Sequence, residues 1–145
     1  MGRVVLITGG SRSGKSAHAI ALACADPALV RRYFIATAEA LDGEMRERIA
    51  HHRAARPTEF ATIEEPVDLT GALSSLRDRA DIAVIDCLTL WVANLLGRDR
   101  SDAAVLNEAG ALASDLSAAP FATIVVTDEV GAGIVPDNPL ARRFR

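Results

Sequence analysis

Short apolar runs rich in β-branched residues alternate along the chain with longer stretches whose apolar positions recur at helical spacing. The runs are Val4–Thr8, Tyr33–Ala36, Ile82–Asp86 and Thr123–Thr127, and their unbroken hydrophobicity predicts strands covered on both faces. Ala17–Ala25, Asp42–Ala55, Leu69–Arg79 and Ala103–Leu116, rich in Ala, Leu and Arg, predict helices. Ile82 to Leu96 reads as a buried strand followed by a helix. It is not a membrane span, because Asp86, Thr89 and Asn94 interrupt it and it falls short of about 18 clean apolar residues. Arg56–Pro66 and Gly131–Pro139 are the least regular regions, and Asn138–Arg145 reads as the first turns of a helix. This alternation builds a mostly parallel sheet with flanking helices. With no repeat and no linker, residues 1–145 are expected to form a single domain.

Composition narrows the class. Half of the 145 residues are hydrophobic and 24% are charged, so a disordered chain is excluded. A folded chain of this length hides roughly 68–70% of its unfolded surface, enough for a core without metal or disulfide staples. A net charge of -3 with 4% aromatic residues argues against a nucleic-acid surface, which wants a basic stripe and stacking rings. Met1–Leu6 carries no secretory pattern, and Leu6 stands where a myristoylation signal needs Ser or Thr. A cytoplasmic protein is expected. Cys24 and Cys87 then read as buried thiols, since a pair alone makes neither a zinc site nor a disulfide framework.

Candidate chemistry begins at Gly9-Gly10-Ser11-Arg12-Ser13-Gly14-Lys15-Ser16, which satisfies G-x-x-x-x-G-K-[ST] between a hydrophobic strand and a helix, as a P-loop requires. The predicted fold class is therefore α/β, P-loop NTPase-like (RecA-like). Glycines let the backbone wrap phosphate, and the amides and helix N-terminus face the anion. Lys15, the sole lysine of the chain, reaches the β/γ oxygens. Ser16 is expected to ligate magnesium (Mg2+). A second carboxylate should hold that ion or its waters, and Asp86, closing a strand at its carboxyl end, is the candidate. Asp128 and Glu129 follow another apolar strand and reach the same rim, where a solvated strand end is the alternative.

In the Asp42–Ala55 helix, Leu41, Met45 and Ile49 form a stripe that His52 continues, while His51 lies about 100° away on the 3.6 period. His52 is thus expected to face inward, either as a packed core histidine or as one that works on substrate. Arg53 and Arg56, one turn apart, can grip phosphate before Pro57 ends the helix. Beyond them, Glu64 or Glu65 can accept from the N1–H and N2 amino group of guanine, or stand as an exposed acidic pair.

Four blocks, in this order, carry a family resemblance: Thr8–Ser16; His52-Arg53-Ala54-Ala55-Arg56-Pro57 with Glu64 behind it; Asp86–Leu96; and Glu129-Val130-Gly131-Ala132-Gly133-Ile134-Val135-Pro136. Together they closely resemble the bifunctional adenosylcobinamide kinase / adenosylcobinamide-phosphate guanylyltransferases of cobalamin biosynthesis. The resemblance implies two reactions at one nucleotide site. Adenosylcobinamide is phosphorylated with ATP or GTP, and GMP then passes from GTP through a guanylyl-histidine to the cobinamide phosphate. It also implies that His52 and Lys15 are catalytic. The implied nucleotide contacts are Gly9, Gly10, Ser11, Arg12, Ser13, Gly14, Lys15 and Ser16, then Thr37, Ala38 and Glu39, then Arg53, Ala54, Ala55, Arg56, Glu64 and Asp86. Ser16 and Asp86 are implied as metal ligands. The implied assembly is a homotrimer. Phe60 departs from the family's usual tryptophan. The family also continues past the position of Arg145 with a helix and a last strand, which this chain is expected to lack. Two other readings compete: a monofunctional P-loop small-molecule kinase with His52 merely packed, and a nucleotide-binding regulatory domain with Gly131–Pro139 as its switch.

Overall fold

The computed structural model describes residues 2–131 and 133–145, so Met1 and the Ala132 of the fourth block lie outside the described residues. The strands are β1 (Val4–Gly9), β2 (Arg32–Ala36), β3 (Phe60–Glu64), β4 (Ile82–Asp86) and β5 (Ala122–Asp128). The helices are α1 (Lys15–Cys24), α2 (Gly43–Ala55), α3 (Leu69–Ser75), α4 (Leu88–Leu96), α5 (Asp102–Ala118) and α6 (Pro139–Phe144). All strands join one sheet in the order β1-β5-β4-β2-β3, with every neighbouring pair parallel. The chain is a single α/β domain, as the alternation of runs predicts.

Side-chain alternation along the central strands splits the core in two. Ala83, Ile85, Ile35 and Val125 join Leu73, Leu76, Trp91, Leu95, Leu112 and Leu116 beneath α3, α4 and α5. Ile82, Val84, Phe34, Ile124 and Val126 face the other way, against Ala19 and Ala23 of α1. Those two alanines are fully buried, and their small side chains let α1 lie close to the sheet. Local signals set several helix starts. Asp42 accepts from the Met45 N–H at 2.7 Å, Ser101 from Ala104 at 3.1 Å, and Asn138 from Ala141 at 2.8 Å, each satisfying a donor that the first helical turn leaves free.

Some expectations fail, each for a physical reason. Burial on both faces holds for β4 but not for β1. There α1 covers Val5 and Ile7, while Val4 and Leu6 on the opposite face of this edge strand stay 44% and 59% exposed. The Arg56–Pro66 region contains β3. Its Phe-Ala-Thr-Ile-Glu segment is half polar because β3 pairs only with β2 and needs little burial. The helix expected over Leu69–Arg79 stops at Ser75. The Ser75 hydroxyl donates back to the Ala72 carbonyl at 2.7 Å, a local bond that competes with helix propagation. Cys87 is buried as expected, whereas Cys24 is only half-buried; both are free thiols. Among the described residues no helix is long and apolar enough to cross a membrane.

Asp81 fastens the sheet at the end opposite the P-loop. Its carboxylate accepts from Arg31 Nε and Nη2 at 2.9 and 2.6 Å and from the Val30 and Arg31 backbone N–H groups at 3.1 and 2.8 Å. These bonds, the Arg31 side chain first, hold its pKa down at about 2. A carboxylate depressed in the folded state stabilises above its unfolded pKa near ~3.9, and that contribution disappears as pH falls through the folded value. We expect Asp81→Asn to unfold at a lower temperature than wild type at pH 6, with the gap closing between about pH 4 and pH 2. A gap independent of pH would refute the ion pair as its source.

Candidate functional site

The P-loop leaves β1 at Gly9 and turns back into α1 at Lys15. Gly14 sits at the helix N-cap with φ of 87°, in the left-handed region that a side chain disfavours. The parallel register sets Gly9 opposite Asp128, and the Glu129 N–H donates to the Gly9 carbonyl at 2.9 Å. Within this frame Lys15 Nζ donates to Gly10 O at 2.5 Å and pairs with Asp128 Oδ1 at 2.6 Å. The Ser16 hydroxyl donates to Asp86 Oδ2 at 2.5 Å, so residues 70 positions apart meet at one point of the rim. Gly10, Ser11, Arg12, Ser13 and Gly14 remain exposed above them.

Asp128 is therefore not a loose strand end. Its backbone N–H is held by Thr89 Oγ1 at 2.8 Å, and the Thr89 hydroxyl lies 3.4 Å from that of Thr127. Glu129, by contrast, is exposed. Sequence position favours Glu129, which opens the fourth block; the register and the Thr89 contact single out Asp128 instead.

Thr37, at the exit of β2, is fully buried. Its N–H donates to Asp86 O at 3.1 Å, and its hydroxyl accepts from the Cys87 N–H and donates to the Cys87 carbonyl, both at 2.8 Å. Ala38 follows half-buried. Glu39 takes the Arg98 guanidinium in a two-point pair at 2.8 and 2.9 Å. Hydrogen bonding from Arg98 holds the Glu39 carboxyl below its ordinary range.

α2 departs from expectation. None of its residues is buried, Leu41 is 79% exposed, Met45 and Ile49 are half-buried, and His52 is exposed rather than inward-facing. The apolar stripe is too narrow, and flanked by too many of Glu44, Arg46, Glu47 and Arg48, to draw the helix onto the sheet. A packed core histidine is thereby excluded. The His51 and His52 rings stand edge to face, their centroids 6.3 Å apart.

Polar contacts hold the last turn of α2 instead. Arg53 forms an ion pair with Glu64, at the carboxyl end of β3. Arg56 donates to Thr62 Oγ1 at 2.8 Å, and its guanidinium lies 3.8 Å over the Phe34 ring. Burial lowers the Arg56 pKa from its ordinary value, while Asp86 opposes that shift. Its Nε is buried without a partner among the described residues. Ala54 and Ala55 are exposed. Glu65 does not stand with Glu64. It turns away to accept from the Val67 and Asp68 N–H groups at 3.1 and 3.0 Å.

Residues 5–145 match the family model described as cobinamide kinase / cobinamide phosphate guanyltransferase. The chain belongs to this family. It is 46% identical over 142 residues to the bifunctional adenosylcobalamin biosynthesis protein CobP of Pseudomonas aeruginosa, an alignment covering 96% of this chain and 79% of that protein. Bifunctional adenosylcobalamin biosynthesis proteins CobU of Escherichia coli and Salmonella typhimurium are 38% and 37% identical, each covering 98% of this chain and 83% of theirs. Membership makes the chain an enzyme of cobalamin biosynthesis, of the bifunctional kinase and guanylyltransferase kind. Among solved structures, a KaiC-like protein of Pyrococcus horikoshii matches 88% of this chain and 61% of its own, with a TM-score of 0.56 and 19% identity. That likeness shows the fold alone.

Phe34 and Arg98, and the part that Asn94 plays within the third block, escaped the sequence reading. Asn94 donates through one nitrogen to Thr37 O at 2.8 Å and to Pro66 O at 2.9 Å, Phe34 supplies the floor under Arg56, and Arg98 anchors Glu39. No local pattern marks such partners, because each is defined by what another crossover brings to it. The Thr37 network is directly testable. Thr37→Val keeps the shape but strands the buried N–H and carbonyl of Cys87, and should cost about 1–3 kcal/mol in urea unfolding. An unchanged midpoint would show that these bonds contribute nothing net.

Proposed function

We propose that this rim binds GTP or ATP and carries out both family reactions, with His52 as the covalent nucleophile. The observation that carries the reading is the Ser16–Asp86 contact of 2.5 Å beside the Lys15–Asp128 pair, which assembles the groups that handle triphosphate from three separate segments, the P-loop and the ends of β4 and β5. Family membership supplies the substrates, adenosylcobinamide and its phosphate.

In the phosphorylation step, the acceptor hydroxyl attacks the γ-phosphorus in line, the bond from that phosphorus to the β–γ bridging oxygen breaks, the nucleoside diphosphate leaves, and the hydroxyl proton passes to water. Lys15 and the loop amides hold the charge on the phosphoryl oxygens. In the transfer step the lone pair of a neutral His52 imidazole attacks the α-phosphorus of GTP, the bond to the bridging oxygen breaks, and pyrophosphate leaves toward Lys15. An oxygen of the cobinamide phosphate then attacks the same phosphorus, the P–N bond breaks, and His52 is released as GMP joins the cobinamide phosphate. Exposure of His52 on the last turn of α2 supports this role, since a nucleophile must be reachable by substrate. Arg53 and Arg56 lie within the next turn, suited to phosphate oxygens, and the turn of Thr37, Ala38 and Glu39 after β2 is proposed to add nucleotide contacts. A guanine contact by Glu64 would share or replace its pairing with Arg53. Attack at two different phosphorus atoms demands two poses, so the nucleotide or a loop shifts between half-reactions.

Ser16 and Asp86 also fit magnesium. Both present hard oxygens at one point, and this ion is commonly held by one or two protein ligands together with phosphate oxygens and water. When bound it neutralises phosphate charge. Among the described residues no larger cluster of His, Cys, Asp or Glu competes for that part. A homotrimer and a cytoplasmic location complete the reading through family membership.

The test incubates the protein and magnesium with GTP labelled at the α-phosphorus, then measures label retained after denaturation. Wild type and His51→Ala should retain acid-labile, base-stable label, whereas His52→Ala should retain none. Lys15→Ala should lose both labelling and cobinamide phosphorylation. Phosphorylation without any α-label, in folded protein that binds GTP, would leave a monofunctional kinase.

A further inference from the structure

Because α2 buries none of its residues, apolar packing does not set its direction, and the helix that carries His52 is placed by what grips its two ends. The carboxyl-terminal end is held by the Arg53–Glu64 pair and by Arg56 on Thr62 and Phe34. The other end follows the turn after β2, and that turn, at Thr37 and Glu39, is held by α4 and the turn behind it. Asn94 Nδ2 donates both of its protons, one to Thr37 O at 2.8 Å and one to Pro66 O at 2.9 Å. In the turn that follows α4, Arg98 clasps Glu39 and donates to the Asn94 carbonyl at 3.1 Å.

The two carbonyls that Asn94 bridges belong to different crossovers. Thr37 begins the path to α2, and Pro66 ends the segment that carries Glu64, the partner of Arg53. A single carboxamide thus ties the root of α2 to the strand exit that holds its far end. Thr37 in turn bonds the backbone of Asp86 and Cys87, so the tie extends to the carboxylate that meets Ser16. We propose that Asn94 is a positioning residue for guanylyl transfer, setting the place of His52 relative to the P-loop without touching nucleotide. This rests on the functional reading above. Only a donor of two protons serves here, because an aspartate of the same shape sets oxygen against two carbonyl oxygens.

The experiment compares Asn94→Asp and Asn94→Ala with wild type in α-label transfer from GTP to His52, measuring the maximal rate and the GTP KM separately. Leu112→Ala, a core truncation on α5, serves as the destabilised control. We expect the maximal rate to fall roughly 10²-fold in both Asn94 variants, the scale of a misplacement near 1 Å. The GTP KM should stay within about threefold, since the loop that cradles phosphate is untouched. Leu112→Ala should lose thermal stability with little change in rate. The proposal is overturned if the Asn94 variants lose no more rate than a control of equal stability, or if their loss lies wholly in KM. Absence of label in the wild type would instead refute the transferase reading, and this inference with it.

Discussion

Parallel pairing of β4 on both of its edges is the constraint from which the site follows. A strand flanked by β2 and β5 in the same direction, and buried on both faces, leaves its neighbours no freedom to reverse. Each crossover must then run back beneath or above the sheet. Every strand therefore delivers its carboxyl end to a single rim, and the segments that follow β1, β2, β3, β4 and β5 crowd there. Ligands gather at that edge in open α/β sheets for this topological reason.

Crowding so many strand exits creates a second requirement, because each brings backbone groups that a helix or sheet no longer satisfies. The Thr37 hydroxyl, the Asn94 carboxamide and the Thr89 hydroxyl answer it, each bonding the main chain of a different segment. They convert a set of loops into one polar lattice, within which Asp86 and Asp128 are held against Ser16 and Lys15. Rigidity of this kind is what phosphate chemistry asks for, since its catalysis is largely placement and charge compensation. α2 stands apart from the lattice: with none of its residues buried, it is secured mainly by polar contacts around its ends.

Much was legible from residue patterns. The central strands announced themselves by uninterrupted Val, Ile and Ala, and the helices α2 and α5 by their composition. The P-loop needed no tertiary information, because its geometry is built within eight consecutive residues. β3 was hidden by its own exposure, being an edge strand with a half-polar pattern. His52 was misplaced because helical periodicity predicts which residues share a face, not whether anything lies against that face. Glu129 was favoured over Asp128, and pairing of β5 with β1 reversed that order by setting Asp128 against Lys15.

Sequence by itself thus determined the class of fold, the phosphate-binding turn and, through the order of its blocks, the family. Those properties are encoded in short-range spacing, which survives without knowledge of the partner surfaces. The sequence pointed to Asp86 as the partner of Ser16; tertiary structure brought the two into contact, decided that Asp128 rather than Glu129 meets Lys15, and left the helix bearing His52 open to solvent. Such outcomes depend on contacts between residues far apart in the chain, 70 positions in the case of Ser16 and Asp86. The register of a parallel sheet is what brings those residues together.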